Sequence, residues 1–364
     1  MKQDLSTYII DTSFISPLGL NTNDNFAALL RQHSGISLIQ DDRFYHAPIL
    51  ASLTDDLIIK RLKTANHTQT RFDTLLMACV ADMLEKRAVD FSSATVLIIL
   101  STTKGNVELL GEDLNNTQAN LTSSATLLQQ FTQNPNPVLI VSNACISGVS
   151  ASIAAKRYLD SGKYQHVLVL GCDAISRFVL SGFSSFKAVS KNGCRPFDSQ
   201  RDGVVLGEAA GAILYSNSIC SPITMLGGFI SNDANHISGP SRTGDELAYC
   251  IQQTLHQNEA DLTDIDFISA HGTATLYNDE MESKAIATAG LGAVPVFSVK
   301  AHLGHTLGAS GVVETIISVE CLKRNLILPS LGYEESGVSV PIAVNKNLIE
   351  KEINFALKTT SGFG

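Results

Sequence analysis

The residue best suited to covalent chemistry in this chain is Cys145, in the stretch "VLIVSNACISGVSAS" at positions 138–152. The apolar run before it predicts a short buried strand, and the small residues after it lead into a helix that ends near Gly162. This junction places the thiol near a helix N-terminus, where unpaired backbone N–H groups and the helix dipole favour a thiolate. The alternative is an inert thiol, because free cysteines are usually buried.

Two further stretches concentrate polar side chains directly after predicted strands. "SAHGTATLYNDEMESKAI" carries His271, Thr273, Thr275 and Glu282, and "SVKAHLGHTLGASG" carries Lys300 and His305. Imidazoles and a lysine beside a thiol can move protons and stabilise developing negative charge. Each histidine alone is more often a solvated loop residue, so these side chains predict chemistry only if they meet in one site.

The composition is that of a globular protein with a large core. Of the 364 residues, 44% are hydrophobic and 17% are charged, which argues against a disordered chain. The net charge is −9, which argues against a general nucleic-acid binder, because such a protein needs a positively charged surface. The N-terminal stretch "YIIDTSFISPLGL" is short and contains Asp11 and Pro17, so we expect neither a signal peptide nor a membrane span.

The cysteines and histidines indicate neither a disulfide framework nor a metal site. The 7 cysteines are scattered and include no C-x-x-C pair, which predicts reduced thiols and a cytoplasmic location. His302 and His305 lie close in sequence, but two histidines without further nearby ligands fall short of the three or four that a zinc site needs. We therefore expect no metal and no cofactor.

Apolar strand-like runs alternate with helical stretches, which predicts an α/β fold with buried sheets. Strands are predicted in "TYIIDTSFI", "ATVLIILST", "PVLIVSNA", "HVLVLGCDA", "AAGAILYS", "ITMLGGFIS", "DFISAHG", "PVFSVKA" and "KEINFALKTT". Helices are predicted over 72–86, 145–160, 245–257, 280–289 and about 308–324. The stretches around Cys145 and His305 are faintly alike, which indicates either two related halves that meet near residues 215–222 or a chance resemblance.

Five motifs, taken in order, resemble those of the β-ketoacyl-acyl-carrier-protein synthases, the condensing enzymes of the thiolase superfamily. "NACISGVSA" is similar to the family's nucleophile motif and "HGTAT" to its first histidine motif. "SVKAHLGHTLGASG" resembles the motif of the lysine and second histidine, "PFDSQRDGVVLGEAAG" the end of the first half, and "SGFG" the C-terminal glycine loop. The resemblance covers essentially the whole chain. It implies a thiolase-like fold of two related βαβαβαββ halves in α-β-α-β-α layers, with the nucleophile in residues 1–217 and the histidines and lysine in residues 218–364.

The resemblance also implies a reaction and a role for each group. An acyl chain held on Cys145 would condense with malonyl-acyl-carrier protein, which loses CO2, to give a 3-oxoacyl-carrier protein. This is an acyltransferase reaction of fatty-acid or specialised, polyene-like or polyketide-like, chain elongation. His271 and His305 would donate hydrogen bonds to the enolate oxygen. Lys300 would pair with Glu282 and hold the histidines in place.

Further positions follow from the same resemblance. The backbone N–H groups of Cys145 and Phe363 would bind the oxyanion, and Phe363 would gate the acyl channel. Thr273 and Thr275 would contact the phosphopantetheine arm or the malonyl group. Lys104, in "STTKGNVELL", stands where the family has a small or apolar acyl-pocket residue, which favours a specialised substrate.

The sequence stops at Gly364, inside the glycine loop. The family continues through a further Gly-Thr-Asn and a final core strand. Either a tail is absent from this sequence, or the second half closes differently.

The implied partner is an acyl-carrier protein with phosphopantetheine-bound acyl and malonyl groups. Carrier proteins of this family are acidic, so an acidic enzyme needs a local positive patch to bind one. The predicted docking residues are Lys60, Lys63 and Arg71 in "KRLKTANHTQTR", and Lys191; an ordinary solvated face is the alternative. We expect a homodimer or a heterodimer with a related subunit, no nucleic-acid partner and no membrane span.

The alternative function is a non-catalytic subunit similar to the chain-length factors, which pair with a ketosynthase and lack the nucleophile. Intact Cys145, His271, Lys300 and His305 argue against it, because a scaffold needs no converging polar groups at strand ends. A hydrolase using Cys145 and His271 is a third possibility, and it leaves Lys300 and His305 without a role. Elongating condensing enzymes carry Cys-His-His, as this chain does.

Overall fold

The computed structural model describes residues 6–66, 68–111, 113–233, 235–236 and 239–362. Its strands are β1 (Tyr8–Ile15), β2 (Ile36–Ile39), β3 (Ile49–Ser52), β4 (Val96–Ser101), β5 (Leu139–Val141), β6 (His166–Asp173), β7 (Leu206–Gly207), β8 (Ala209–Ser216), β9 (Phe267–Ser269), β10 (Val296–Phe297), β11 (Leu326–Ile327), β12 (Ile349–Glu350) and β13 (Ala356–Lys358). Its α-helices are α1 (Thr22–Leu30), α2 (Asp56–Asn66), α3 (Arg71–Lys86), α4 (Leu121–Thr132), α5 (Ser147–Asp160), α6 (Arg177–Ser185), α7 (Asp245–Gln257), α8 (Leu276–Thr288), α9 (Lys300–Leu303) and α10 (Ser310–Arg324).

The helices predicted beside the functional motifs are confirmed, with shifts at their ends. α7 has the predicted bounds, whereas α5 and α10 begin two residues later and α8 begins four residues earlier than predicted. The N-terminus of α3 is capped by Thr70, whose hydroxyl accepts a hydrogen bond from the Asp73 N–H. None of the described helices combines the length and apolar character needed to cross a membrane.

The main sheet of the first half has five strands in the order β1-β8-β6-β4-β5. β4 is parallel to β5 and β6, whereas β8 is antiparallel to β1 and β6. Successive residues of β4 point to opposite faces, so Leu97 and Ile99 belong to one buried cluster and Ile98 and Leu100 to another. Because both faces are buried, this strand is apolar at nearly every position.

Helices cover both faces of this sheet, and the layering continues into the second half. α3 packs on the outer face, where Leu75 and Leu76 are fully buried, and α5 and α10 pack on the inner face. Phe267 of β9 and Phe297 of β10 bring a second sheet, with the order β10-β9-β13, against the inner cluster. α7 and α8 contribute to a further cluster with β9 on the far side of that sheet. These are the predicted α-β-α-β-α layers.

The two central helices, α5 and α10, make close backbone contact near their N-terminal ends. Gly148 of α5 lies against Gly311 of α10, and a Cβ added to Gly148 would lie 2.6 Å from the backbone nitrogen of Val312. α5 follows the loop that carries Cys145, and α10 follows the loop that carries His305. Glycine at this contact therefore lets the two loops approach each other.

Gly148→Ala should lower the free energy of unfolding by about 1–3 kcal/mol. The new methyl group would clash with the backbone of α10, which cannot move aside as the end of a flexible side chain can. Gly182→Ala in α6 is the control, since a Cβ there has no heavy atom within 4 Å and alanine favours the helix. Urea denaturation of both variants measures the difference. If the two variants were equally stable, the close contact would not constrain the fold.

The second half differs from the first beside β13. Residues 223–231, predicted as a strand, form no strand in the structure: Ile9 N–H donates to the Ile223 carbonyl, and Tyr8 forms an isolated bridge with Thr224. In the first half β8 lies between β1 and β6. Among the described residues no strand takes the corresponding place between residues 223–233 and β13, and a cavity of about 850 Å³ lies there instead.

Candidate active site

Cys145 lies in a sharp turn between β5 and α5, as the sequence predicts. Ala144 has a φ of +44°, which is uncommon for a residue with a side chain and reverses the chain direction directly before the thiol. The Ser147 hydroxyl fixes this turn, because it donates to the Ala144 carbonyl at 2.5 Å and accepts from the Asn143 N–H at 2.7 Å. The turn places the thiol at the first residues of α5.

The structure brings Cys145 together with both predicted histidines. The Cys145 Sγ lies 3.0 Å from His305 Nε2, and the His271 and His305 ring centroids are 5.1 Å apart with the rings nearly perpendicular. The thiol and one ring nitrogen from each histidine all lie within 4.8 Å of one another. All three residues line a cavity of about 300 Å³ and are buried.

Lys300 fixes the protonated nitrogen of His271. Its Nζ is buried and donates to the His271 carbonyl at 2.5 Å, and it lies 3.2 Å from His271 Nδ1. An ammonium group has hydrogens to donate and no lone pair to accept with, so Nδ1 must be the acceptor. In the neutral ring the proton is therefore on Nε2, where it can be donated to a substrate oxygen.

The predicted ion pair between Lys300 and Glu282 is wrong. Glu282 accepts hydrogen bonds at 2.7 Å from the backbone N–H groups of His271 and the next residue, and from the Thr359 hydroxyl. Lys300 instead donates to Glu314 Oε1 at 2.6 Å. The backbone amides after β9 already satisfy the Glu282 carboxylate, so the lysine binds the carboxylate that α10 presents.

His305 is held by hydroxyl groups. Its Nδ1 lies 2.9 Å from Ser310 Oγ, which in turn lies 3.1 Å from Thr306 Oγ1. A hydroxyl can donate or accept, so Ser310 can satisfy Nδ1 in either neutral tautomer of His305. His305 can therefore act as a base or as a hydrogen-bond donor at Nε2.

Burial controls the protonation of the three central groups. It raises the pKa of the Cys145 thiol to about 11, and the charges of Lys300 and Lys104 oppose this only in part. The expected preference for a thiolate at the helix N-terminus is therefore wrong for the resting protein, and the thiol is protonated at neutral pH. Burial, followed by the positive charge of Lys300, holds the pKa of both His271 and His305 well below the usual range, so both rings are neutral.

The other residues predicted to contact substrate lie in different places. Thr273 and Thr275 line the cavity of about 300 Å³, and their hydroxyl oxygens are 2.9 Å apart. Phe363 lies outside the described residues. Gly362 is described, and a Cβ on it would lie 3.0 Å from the Cys145 nitrogen, so the glycine loop reaches that amide. Lys104 does not line the cavity, and its backbone N–H donates to Asp173 at 3.2 Å.

Arg71, predicted as a docking residue, is buried with a side-chain exposure of 7%. Its guanidinium donates to the two carboxylate oxygens of the fully buried Glu208 at 2.7 and 2.8 Å, to Asp56 at 3.0 Å, and to the Thr54 carbonyl. The docking prediction for Arg71 is therefore wrong, because this side chain neutralises an internal carboxylate and has no free surface for a partner.

The remaining docking candidates are accessible to different degrees. Lys60 and Lys191 are exposed and Lys63 is half-buried, so their docking role stays a prediction. None of the three lines the cavity around Cys145, whereas Lys187 does. Among the described lysines Lys187 lines this cavity, and the sequence argument passed over it.

A thiol and two imidazoles are also donors that zinc accepts, but their surroundings oppose a cation. The three donors fall one short of a closed tetrahedral site. The Lys300 ammonium lies 3.2 Å from His271 Nδ1, and its positive charge would repel a divalent ion beside that ring. The expectation that the site works without a metal stays a prediction.

Sequence reasoning missed Glu314, Ser310 and Lys358, all of which support the histidines. Glu314 contacts Lys300 through Oε1 and Lys358 through Oε2, at 2.6 and 2.7 Å. A signal for Glu314 was present in the sequence, because it is a lone carboxylate in the apolar start of α10, and buried acids are rarely unpaired. Lys358 and Ser310 carried no comparable signal.

Comparison with known proteins identifies the family. The chain matches the family models "Beta-ketoacyl synthase, N-terminal domain" over residues 8–217 and "Beta-ketoacyl synthase, C-terminal domain" over residues 224–334. The 3-oxoacyl-[acyl-carrier-protein] synthase 2 of Rhizobium meliloti (strain 1021) is 31% identical over 264 residues, which cover 67% of this chain and 62% of that protein. The putative polyketide beta-ketoacyl synthase 1 of Streptomyces cyaneus is 31% identical over 251 residues, which cover 63% of this chain and 58% of that protein.

A solved structure shows the same fold. The ishigamide ketosynthase/chain length factor superposes with a TM-score of 0.89 at 24% identity, covering 98% of this chain and 96% of that chain. This likeness confirms the predicted thiolase-like α/β fold. Since the N-terminal family model alone spans residues 8–217, the chain belongs to the β-ketoacyl synthase family of the thiolase superfamily.

Proposed function

We propose that this chain is a 3-oxoacyl-[acyl-carrier-protein] synthase that condenses an acyl group held on Cys145 with malonyl-acyl-carrier protein. The observation that carries the proposal is the 3.0 Å contact between Cys145 Sγ and His305 Nε2, with His271 in the same cavity. A thiol in contact with a neutral imidazole is a nucleophile with its base. Two imidazoles around one small space also suit an oxygen that gains negative charge.

In the first half-reaction Cys145 takes the acyl group from the carrier. His305 Nε2 accepts the thiol proton as Sγ attacks the thioester carbonyl, which overcomes the raised pKa of the buried thiol. The backbone N–H of Cys145 is a donor for the resulting oxyanion. The carrier thiolate then leaves and takes the proton back from His305, so the products are acyl-Cys145 and free carrier thiol.

In the second half-reaction malonyl-carrier loses CO2, and the electron pair of the broken bond forms an enolate of the carrier thioester. His271 donates Nε2–H to the enolate oxygen, because Lys300 holds its Nδ1 as an acceptor. His305 donates from Nε2 as well when the Ser310 hydroxyl donates to its Nδ1. The enolate carbon attacks the acyl carbonyl, the C–S bond to Cys145 breaks, and the Cys145 thiolate that leaves takes up one proton from solvent.

Mass spectrometry tests this function directly. Incubation of the chain with an acyl-carrier-protein thioester should add one acyl mass to the peptide that contains Cys145, and later addition of malonyl-carrier protein should release a 3-oxoacyl-carrier protein. Cys145→Ala should form no adduct. Cys220→Ser is the control, because Cys220 is an exposed thiol outside the site. An adduct on another residue, or none, would reject the proposal.

The same experiment distinguishes the two alternatives. A non-catalytic subunit similar to chain-length factors would form no adduct on Cys145. Paired with an active ketosynthase, it would change only the length of that enzyme's product. A cysteine hydrolase would form the adduct and release it to water with no need for malonyl-carrier protein. The contacts of Lys300 and His305 favour condensation, since hydrolysis gives the second imidazole no oxygen to stabilise.

The proposed partner is an acidic acyl-carrier protein that contacts Lys60 and Lys63 of α2. Lys60→Glu together with Lys63→Glu should weaken carrier binding by about 3- to 10-fold, because two charges facing an acidic partner are reversed. Turnover of a small acyl thioester should stay unchanged. Lys163→Glu, beyond the end of α5 opposite Cys145, is the control. Equal losses with carrier-bound and small thioesters would contradict a docking role.

Assembly and location belong to the same proposal. We propose a dimer with a second copy or a related subunit, supported by the structural likeness to a ketosynthase/chain length factor. The described cysteines are all unpaired, which supports a reducing compartment such as the cytoplasm. A specialised acyl chain stays a proposal from Lys104, which lies outside the lining of the cavity, and product analysis with saturated and polyene acyl-carriers is the test.

A further inference from the structure

Glu314 is shared between two lysines behind the histidines. Its Oε1 accepts from Lys300 Nζ at 2.6 Å, and its Oε2 lies 2.7 Å from Lys358 Nζ. Lys358 also donates to the Ser269 carbonyl at 3.1 Å, and its side chain is only 11% exposed. Two ammonium groups around one carboxylate leave this cluster with one net positive charge.

We propose that Lys358 is a positioning residue of the site, which shares Glu314 with Lys300 and supplies a second positive charge behind His271 and His305. The proposal rests on the condensation chemistry described above and adds a residue to it. The sharing has a geometric consequence. Each carboxylate oxygen of Glu314 faces one ammonium group, by a hydrogen bond from Lys300 and an ion pair with Lys358, and this pairing opposes rotation of the carboxylate towards the rings.

The titratable groups around the two rings come from several elements. They are Cys145 before α5, Asp173 at the end of β6, Glu282 in α8, Lys300 in α9, Glu314 in α10 and Lys358 at the end of β13. The two acids that contact neither lysine, Glu282 and Asp173, accept hydrogen bonds from other groups. Glu282 accepts backbone and hydroxyl hydrogen bonds, and Asp173 accepts from the loop after β4 and from the Gly308 N–H. Lys300 and Lys358 are the two cations among these groups, and the charges of both act on His271 and His305.

A positive charge beside an imidazole disfavours its cationic form. Burial is the largest cause that lowers the pKa of both rings, Lys300 is the next, and Lys358 lowers both further. Removal of the Lys358 charge should therefore raise both pKa values. An imidazolium at His305 cannot accept the thiol proton, so the acid limb of acyl transfer should move to higher pH in the same variant.

Titration of the histidine rings by ¹³C NMR tests this effect without relying on catalysis. In Lys358→Met, the pKa of His271 and His305 should rise by about one pH unit, and in Lys358→Arg it should return to the parent value. Lys351→Met is the matched control, because Lys351 also forms an ion pair, at 2.8 Å with Asp266, away from the two rings. The acid limb of Cys145 acylation, followed by mass spectrometry, should move by the same amount.

The possible outcomes separate this inference from the proposed function. If Lys358→Met lowers only the melting temperature and leaves both ring titrations unchanged, Lys358 is a structural ion pair and the inference is overturned. If the pKa values of both rings rise in Lys358→Met but Cys145 of the parent chain is never acylated, the proposed function fails and the positioning role of Lys358 stands. Should Lys358→Met not fold, Lys358→Gln is titrated under the same criteria.

Discussion

His271→Ala should lower the rate of malonyl decarboxylation by about 10²–10³-fold, the usual cost of removing one preorganised donor from a developing oxyanion. Acylation of Cys145 should change far less, because the thiol proton goes to His305, which lies 3.0 Å from Sγ. The two half-reactions can be followed separately. Release of labelled CO2 measures decarboxylation, and the intact mass of the protein measures acylation of Cys145. His271 thus has its main role after the acyl group is loaded.

His302→Gln is the matched control for this experiment. His302 is as buried as His271 and lies three residues before His305, but its Nδ1 contacts the His33 carbonyl at 2.6 Å and its ring does not line the cavity. Both half-reactions should stay near the parent rate in this variant. An equal loss of acylation and decarboxylation in His271→Ala would contradict the division of roles between the two histidines.

Arg71→Met should lower the free energy of unfolding by about 3–5 kcal/mol, because it leaves the buried carboxylate of Glu208 without its cation. Guanidinium denaturation with a circular dichroism signal measures this loss. An effect of this size would establish that the buried guanidinium contributes to stability beyond the apolar packing of α3 on the sheet.

Arg43→Met provides the comparison. Arg43 contacts Asp56, as Arg71 does, but its side chain is 65% exposed, so the expected loss is under about 1 kcal/mol. If both variants lost the same stability, the exposed carboxylate of Asp56 would be the shared cause. The buried pair with Glu208 would then contribute little.

The layered fold was predictable because burial leaves a clear pattern. β4, β6 and β8 are buried on both faces and appear in the sequence as nearly unbroken apolar runs. The sequence therefore predicts each of these three segments as a buried strand. The start of α5 was predictable for a similar reason, since small residues after a strand suit a tight turn into a central helix. The short helices α1, α2, α4 and α6 were not predicted, because their apolar faces are narrow and interrupted by polar residues.

The errors at the site all depend on how the chain packs in three dimensions. Lys300 binds Glu314 rather than Glu282, and the choice depends on which carboxylate the backbone amides after β9 have already satisfied. Arg71 belongs to a run of positive residues that looks exposed in the sequence, and only the packing of α3 turns it inwards. The ionisation of Cys145 was misjudged because a helix dipole can be read from a sequence, whereas the depth of burial cannot.

The contact between Gly148 and Gly311 has a consequence for the newly made protein. The thiol and its base are separated by 160 residues of sequence and meet only where α5 and α10 touch. During synthesis the residues that carry the thiol are therefore made long before those that carry its imidazole partner, and the first half alone lacks that imidazole. On the proposed mechanism, transfer of the thiol proton to His305 becomes possible only after α10 has packed against α5.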